Sequence, residues 1–446
     1  MNLLGRSWNS ARLAVRIRRE RRLPYEPRGR IERLQRRRLS AIAGHAFRSV
    51  PFYGEAMRAA GLRPEDLGRA EDLARLPLLD GVTVRRDVER FTSRAVPERQ
   101  RVAMRSSGSG LTHVRSVVWW DTASQLAKLA IAERDRAVIA WTLGRSWGLR
   151  QLYVLPEASV SLDLRAWWDA RILALRGLAE RHAIPAERPF AEVADRIDEI
   201  RPDVVYSYGS FVDRFFRYLS ASGRGVAPPG VWVYGGDMLP PDGRELIERR
   251  FGVPVLSTYQ TVETGRLGFE CEARSGFHLN VDLCAVRIVD GNGNGVGPGT
   301  PGEVVVSNLF NRATVLLNYR LGDRAVLATG ICPCGRTLPR LETLEGRVSE
   351  VVTLADGREI SSMILRNLVK DELAFALQCQ VVQPRPGKFV WRVVPLPGRK
   401  SEEARRALLE RTRQLVGAET AVEFVEHIPV TSGGKHLAVA PGDAGS

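Results

Sequence analysis

The chain has 446 residues, 44% of them apolar and 26% charged, a composition that fits a folded protein of two or three domains and excludes a disordered one. Five cysteines in that length exclude a disulfide framework. No stretch approaches the roughly 20 apolar residues of a membrane span, and no secretory apolar region follows the first basic residues, so a reducing, cytoplasmic setting is expected.

Much of the net charge of +15 lies near the start, where arginines recur from Arg6 to Arg38 with few acids between them. Zinc-finger spacing, an RNA-recognition aromatic motif and a helix-turn-helix pattern are all missing, so no nucleic-acid partner is expected. Leu4, Trp8 and Val15 could line one side of a basic helix lying on a membrane surface, which keeps peripheral membrane contact as an alternative to a plain solvated face. Residues 31–50 then predict an amphipathic helix, with Ile31, Leu34, Leu39, Ile42 and Phe47 near helical spacing and Pro51 interrupting the pattern. Helical patterns recur at 122–140 and 162–183. Short apolar runs at Leu152–Leu155, Val204–Tyr208, Val231–Tyr234 and Val255–Tyr259 predict buried strands. Strands and helices alternating at this length predict α/β layering. From 283 the character becomes β, with Cys284–Val289, a glycine-rich turn at 291–299 and Gly302–Leu309.

After Gly346 the pattern changes again. Val351–Leu354 and Arg358–Ile360 flank Asp356-Gly357, a hairpin signal. A helix at 361–373, strands near 378–383 and 388–395, a helix capped by Ser401 and a last strand at Val422–Val425 complete a compact α+β unit. The expected architecture is α/β: a large multi-layer N-terminal domain over 1–345 with a β-rich subdomain, and a small mobile α+β domain over 346–446.

Six segments carry candidate chemistry. Arg105-Ser106-Ser107-Gly108-Ser109-Gly110 offers hydroxyls and a backbone that can approach a phosphate closely, although no Walker lysine follows. Tyr234-Gly235-Gly236-Asp237 and Tyr259-Gln260-Thr261-Val262-Glu263 each follow an expected strand, the place where α/β sheets hold nucleotides. A tyrosine face can stack on a base and a carboxylate can hold Mg²⁺ beside phosphates. In Tyr319-Arg320-Leu321-Gly322-Asp323 the carboxylate could accept hydrogen bonds from two ribose hydroxyls. Gly346-Arg347 sits at the expected domain boundary, and Thr431-Ser432-Gly433-Gly434-Lys435 presents one ammonium on a loop near the C-terminus.

In this order the six segments resemble the motifs of the adenylate-forming superfamily of acyl-CoA synthetases, luciferases and peptide-synthetase adenylation domains. The closer resemblance is to its phenylacetate-CoA ligase-like branch, through His45-Ala46 with Pro51-Phe52-Tyr53, Leu76-Pro77-Leu78-Leu79, Ser307–Asp323 and Cys332-Pro333-Cys334-Gly335-Arg336. It covers nearly the whole chain. It implies that Ser106, Ser107, Gly108 and Ser109 form the phosphate loop, that Gly235, Gly236 and Asp237 line the adenine, and that Tyr259 stacks on it. Glu263 would hold Mg²⁺, Asp323 the ribose, and Arg347 the nucleotide beside a pivot at Ser349. Lys435 would be the adenylation lysine, and Tyr208 and Gly209 would approach the acid. The sequence departs from the family pattern at Gly110, Leu111 and His113 in the phosphate loop. It departs again at Val262, which cannot donate a side-chain hydrogen bond to the α-phosphate.

Cys271, His278, Cys332 and Cys334 pair a Cys-x₆-His half with a Cys-x-Cys half, a donor set suited to tetrahedral zinc. Some members of the branch carry similar cysteines, and a closed four-ligand site would be structural. The implied activity is ATP-dependent conversion of a carboxylic acid, aryl or other organic, to an acyl-adenylate, with coenzyme A as acceptor and ATP and Mg²⁺ required. A homodimer is compatible with this reading. The rivals are an adenylating enzyme with an amine or other nucleophile as acceptor and a non-enzymatic basic protein of nucleic-acid or membrane surfaces.

Overall fold

In the computed structural model the described residues are 3–105, 117–157, 159–173, 179–347, 350–354, 356–416, 419–430 and 436–441. The basic N-terminus forms helix α1 (Leu3–Arg22), followed by α2 (Arg28–Ser49) and α3 (Pro51–Ala59). Pro51 starts α3, because its fixed φ and missing N–H suit the first turn of a helix. After α4 (Gly81–Arg86), strands β1 (Arg101–Arg105) and β2 (Val117–Asp121) form a small antiparallel ribbon. The expected helix at 122–140 is two helices, α5 (Thr122–Ile131) and α6 (Glu133–Leu143). Asp121 caps α5 by accepting from the Ser124 N–H at 2.8 Å.

The alternating region continues as β3 (Leu149–Leu155), α7 (Val160–Asp169), β4 (Ala179–Pro185), α8 (Phe190–Ile200), β5 (Val204–Ser207), α9 (Gly209–Ser222), β6 (Val231–Gly235), α10 (Pro241–Phe251) and β7 (Val255–Thr261). The helix expected over 162–183 is corrected here: it ends at Asp169, and 179–185 is a strand that pairs with β3 in parallel. Backbone pairing at the sheet edge overrides the local pattern. Strands β8 (Gly265–Glu270), β9 (Phe277–Leu279), β10 (Cys284–Val289), β11 (Pro301–Asn308), β12 (Tyr319–Leu327) and β13 (Arg340–Arg347) follow. Among the described residues the large sheet has the order β10-β11-β12-β13-β9-β8-β7-β6-β5-β3-β4. It is parallel from β4 to β7 and antiparallel from β7 onward.

The parallel half packs on the aromatic face of α9, where Phe211, Phe215 and Phe216 meet Trp232 of β6. The antiparallel half is covered by α2 and α3, with Leu39, Ile42 and Tyr53 against Leu283, Val304 and Val306. Tyr53 OH donates to the Leu317 carbonyl and accepts from the Leu317 N–H, and His45 Nε2 meets the Arg312 carbonyl at 3.0 Å. The His45–Tyr53 segment therefore clamps the loop that leads into β12.

The remaining elements are β14 (Val351–Thr353), β15 (Glu359–Ser361), α11 (Ser362–Leu368), β16 (Ala376–Arg385), β17 (Lys388–Pro395), α12 (Glu402–Val416), β18 (Glu419–Phe424) and β19 (Val439–Pro441). The helix expected over 361–373 stops at Leu368. These elements share a separate apolar cluster that includes Val352, Leu365, Phe389, Trp391 and Leu408. Among the described residues no helix is long and apolar enough to cross a membrane.

Candidate active site and metal centre

The ends of β5, β6 and β7 open into one cavity of about 1150 Å³. Tyr208, Gly235, Gly236, Asp237, Tyr259, Glu263, Asp323 and Arg347 all line it. Gly236 has φ +87° and turns the chain out of β6, a conformation that favours glycine. A Cβ at Gly235 would lie 2.7 Å from Thr258 Oγ1, so the close approach of β6 to β7 excludes a side chain there. Gly209 begins α9 and is not among the cavity-lining residues; a Cβ on it would meet the backbone of Met238 and Leu239 at 2.6 Å. It lets the start of α9 pack beside the Asp237 turn, where Asp237 accepts from the Ser210 N–H at 3.1 Å. Burial and the Asp237 charge push the Tyr208 hydroxyl up to about 12.

Tyr259, Asp323 and Arg347 come together from three strands. Tyr259 OH donates to Asp323 Oδ2 at 2.6 Å, and Arg347 Nε lies 3.0 Å from Asp323 Oδ1. Burial and the adjacent carboxylate hold the Tyr259 hydroxyl far above its ordinary pKa, so it remains a donor. Asp323 lies within β12, is 8% exposed, and is the cross-strand partner of Arg347 in β13. Gly322, at φ +74°, supplies the local irregularity.

Glu263 sits in the turn between β7 and β8. Its carbonyl accepts from Asn308 Nδ2 at 2.9 Å, and its carboxylate makes no ion pair among the described residues. The Thr261 and Thr264 hydroxyls lie 2.9 Å apart and shape this turn. Val262 packs with the cluster of Met104, Val118 and Trp120, and its carbonyl accepts from Trp120 Nε1 at 2.9 Å. Its apolar side chain thus meets a packing demand of this chain.

Ser106, Ser107, Gly108 and Ser109, the pivot residue Ser349, and Lys435 lie outside the described residues. The flanks of the Lys435 loop are described. Val430 and His436 form an antiparallel bridge around it, and His436, Leu437 and Ala438 line the cavity. His436 Nδ1 accepts from Gln378 Nε2 at 2.9 Å, and its Nε2–H donates to the Cys379 carbonyl at 2.8 Å. Burial pushes the His436 imidazole down to about 4, so it is neutral at physiological pH. Glu350 Oε1 accepts from the Ala438 N–H at 3.5 Å. Sequence reasoning misses His436, Gln378 and Glu350; adjacency to Lys435 is the only signal for the first.

Cys271, His278, Cys332 and Cys334 converge, with all four donor atoms within 4.8 Å of one another. Cys271 Sγ lies 3.6 Å from Cys332 Sγ, and Cys334 Sγ lies 3.3 Å from His278 Nε2. His278 Nδ1 faces the Leu338 carbonyl at 3.2 Å and must donate to it, which leaves Nε2 as the electron-pair donor toward the thiols. Burial pushes the Cys271 thiol up to about 12 and the His278 imidazole down to about 4. Cys332 is lowered to about 7: hydrogen bonds from Ser275 and neighbouring groups outweigh its burial. This soft donor set fits a tetrahedral divalent metal. Cys284 and Cys379 are buried in β10 and β16, away from this cluster.

A mixed sheet with its cavity at the parallel–antiparallel switch, and a second α+β unit at its mouth, is the fold of the adenylate-forming ligases. A 2-hydroxyisobutyryl-CoA ligase in its postadenylation state superposes with a TM-score of 0.78 at 19% identity, covering 95% of this chain and 92% of that one. No family model matches the sequence. The chain is 27% identical to a phenylacetate-coenzyme A ligase of Thermus thermophilus over 343 residues, 74% of this chain and 73% of the relative. It is 26% identical to the enzyme of the same name from Escherichia coli over 361 residues, 77% of each. The chain is thus a distant homologue of these phenylacetate-coenzyme A ligases and shares the fold of the 2-hydroxyisobutyryl-CoA ligase.

Proposed function

We propose that this protein is an ATP-dependent ligase that converts a carboxylic acid to its acyl-adenylate and then transfers the acyl group to coenzyme A. The observation that carries the reading is the Tyr259–Asp323–Arg347 cluster. It shares one cavity with Glu263, the Gly235–Asp237 turn and the anchored flank of the Lys435 loop. A carboxylate has about four lone-pair sites. Tyr259 and Arg347 take two, so Asp323 is oriented and can still accept from ribose hydroxyls. Gly235, Gly236 and Asp237 would line the adenine, with the Tyr259 ring beside it. Ser106 to Ser109 would wrap the phosphates.

In the first half-reaction the acid's carboxylate attacks the α-phosphorus and pyrophosphate leaves. Lys435 would hold the negative charge that develops between the carboxylate and the α-phosphate. Glu263 suits Mg²⁺, which when bound offsets phosphate charge. In the second half-reaction a thiolate attacks the acyl carbonyl and AMP leaves. The unit over 346–446 would turn about 346–350 between the two, exchanging one set of catalytic groups for another. Tyr208 would contact the acid, with Gly209 placing it by packing. Zinc held by Cys271, His278, Cys332 and Cys334 would have four protein ligands and no open position, so it would brace the fold and take no part in the reaction.

An acid-dependent pyrophosphate-release screen over aryl, fatty and amino acids, with and without coenzyme A, tests the reading. Acid-dependent AMP and thioester formation is expected. Release of pyrophosphate that responds to amines but not to coenzyme A would replace the acceptor; no acid-dependent release at all would remove the activity.

A further inference from the structure

The cavity continues past the candidate reaction centre into a chamber between α5 and α7. Lys128 of α5 enters it. The residue is 6% exposed, and its Nζ lies 3.1 Å from the centroid of the Trp120 ring. Its stem passes beside Gly265, where a Cβ would lie 3.3 Å from Lys128 Cε. The ammonium makes no hydrogen bond or ion pair among the described residues. The nearby Asp121 makes no hydrogen bond or ion pair with it; that carboxylate accepts from the N–H groups of Ser124 at 2.8 Å and Arg312 at 2.9 Å. Arg266, also close by, is committed to Asp135. Burial holds the Lys128 pKa well below its ordinary value.

The Lys128 amine faces the cavity with N–H donors that no protein group among the described residues takes, two when neutral and three when protonated, and a ligand oxygen can accept from them. Arg165 of α7 reaches the same cavity and likewise makes no ion pair with a carboxylate among the described residues; its Nη2 donates to Tyr153 OH at 2.9 Å. The rings of Tyr153 and Tyr206 stack on each other with centroids 4.9 Å apart, and both residues line the cavity. The chamber therefore offers aromatic surface together with the N–H donors of Lys128 and Arg165, which lack carboxylate partners among the described residues.

The geometry points to Lys128 as a specificity-determining residue that selects an acid bearing a second oxygen acceptor, a hydroxyl or another carboxylate, beyond the carboxylate that is activated. This rests on the ligase reading above. The acid's far oxygen accepts from Lys128 Nζ, while its hydrophobic body lies against the tyrosines. A site built to donate to a substrate oxygen disfavours the analogue lacking it, because its buried donors are then left unmet.

The test measures pyrophosphate release on matched pairs: phenylacetate with 4-hydroxyphenylacetate, benzoate with 4-hydroxybenzoate, and hexanoate with adipate. Wild type is expected to favour the oxygen-bearing member of at least one pair by tenfold or more in kcat/KM. The pair that responds separates hydroxyl from carboxylate. Lys128→Met should collapse that preference to within about threefold by slowing the oxygen-bearing member alone, since a merely structural role would lower both members together. Wild-type preference for the plain acid in every pair overturns the inference, as does equal loss on both members in the variant or a preference that survives it. Turnover of plain acids with no such preference leaves the ligase reading standing, whereas inertness toward every acid removes both.

Discussion

Asp323→Asn is the most discriminating perturbation of the nucleotide site. Asp323 is 8% exposed and accepts from Tyr259 OH at 2.6 Å while pairing with Arg347 Nε at 3.0 Å. Asparagine keeps the size but removes the charge and replaces one acceptor oxygen with a donor, so either the proton of the tyrosine hydroxyl or the arginine N–H loses its acceptor. Leaving one buried group unmet costs ~1–3 kcal/mol of stability. Two ribose hydrogen bonds to a charged acceptor, partly compensated by water, add ~2–4 kcal/mol to ATP binding. Calorimetric titration should therefore show ATP affinity falling by roughly thirtyfold or more, with acid selectivity unchanged. Tyr259→Phe separates the two effects, because it removes the hydroxyl and keeps the ring. It should destabilise the protein by a similar amount yet weaken ATP less. On wild type 2′-deoxy-ATP should bind more weakly than ATP, and on Asp323→Asn that difference should nearly vanish. Additive losses, or wild-type ATP affinity in Asp323→Asn, would refute the ribose contact.

Lys435→Ala should lower acyl-adenylate formation by a factor corresponding to ~3–4 kcal/mol, while thioester formation from synthetic acyl-adenylate changes far less. Single-turnover assays of each half-reaction check this, and equal losses would count against it. Protein purified without chelators should contain about one zinc per chain by elemental analysis, and Cys332→Ser with Cys334→Ser should remove it and lower the melting temperature before any specific catalytic defect appears. The His436 imidazole is held near 4 in the fold, below its ordinary value of 6.5, chiefly by burial and also by the Arg366 and Arg214 charges. The unfolded chain then binds the extra proton, so stability should fall as pH drops from about 6.5 toward 4, by up to ~3 kcal/mol. His436→Gln should flatten that part of a stability–pH curve relative to wild type.

The elements legible in the sequence are those whose local pattern and tertiary role agree. The apolar runs at 152–155, 231–234 and 255–259 become β3, β6 and β7 because a buried parallel strand is apolar on both faces. The glycines and acids at their ends mark where the chain leaves the sheet, and so the cavity could be located. β4 was illegible for the opposite reason: an edge strand gains its identity from pairing with β3, and Ala179–Pro185 carries no strand alternation of its own. The Tyr259–Asp323 hydrogen bond spans 64 residues, and no spacing rule reports such a contact. Lys128 sits in a helix where any lysine reads as solvated; only the fold shows it buried over Trp120. On α1, Leu4, Trp8 and Val15 are exposed at 81%, 64% and 75%, while Leu13, Ala14 and Ile17 of the same helix line the cavity. The arginine run obscured that second face. Several of its arginines are also committed: Arg21 bonds Glu133 at 2.8 Å and Arg38 bonds Asp282 at 2.7 Å.

The contact between α11 and α9 bears on how the proposed hinge can work. Arg366 Nη2 of α11 donates to Asp213 Oδ2 at 3.0 Å, and its Nε lies 3.7 Å from Asp242 Oδ1. This ties the C-terminal unit to the parallel half of the sheet, beside the cavity that Arg366 also lines. If Arg366 were the sole partner of those carboxylates, turning the unit away would leave buried charges behind, at a cost of ~3–5 kcal/mol. It is not. Arg217 Nε donates to Asp213 Oδ1 at 2.8 Å, and Arg217 Nη2 bonds Asp242. Both carboxylates therefore remain paired within α9 and α10 when Arg366 departs, and the main loss is the desolvated contact of one guanidinium that can return to water. Glu350 and Ala438 both belong to the turning unit, so the anchored flank of the Lys435 loop would travel with it intact. The described flank of the loop lines the cavity in this arrangement, and the paired carboxylates mean that the proposed turn would leave neither Asp213 nor Asp242 orphaned.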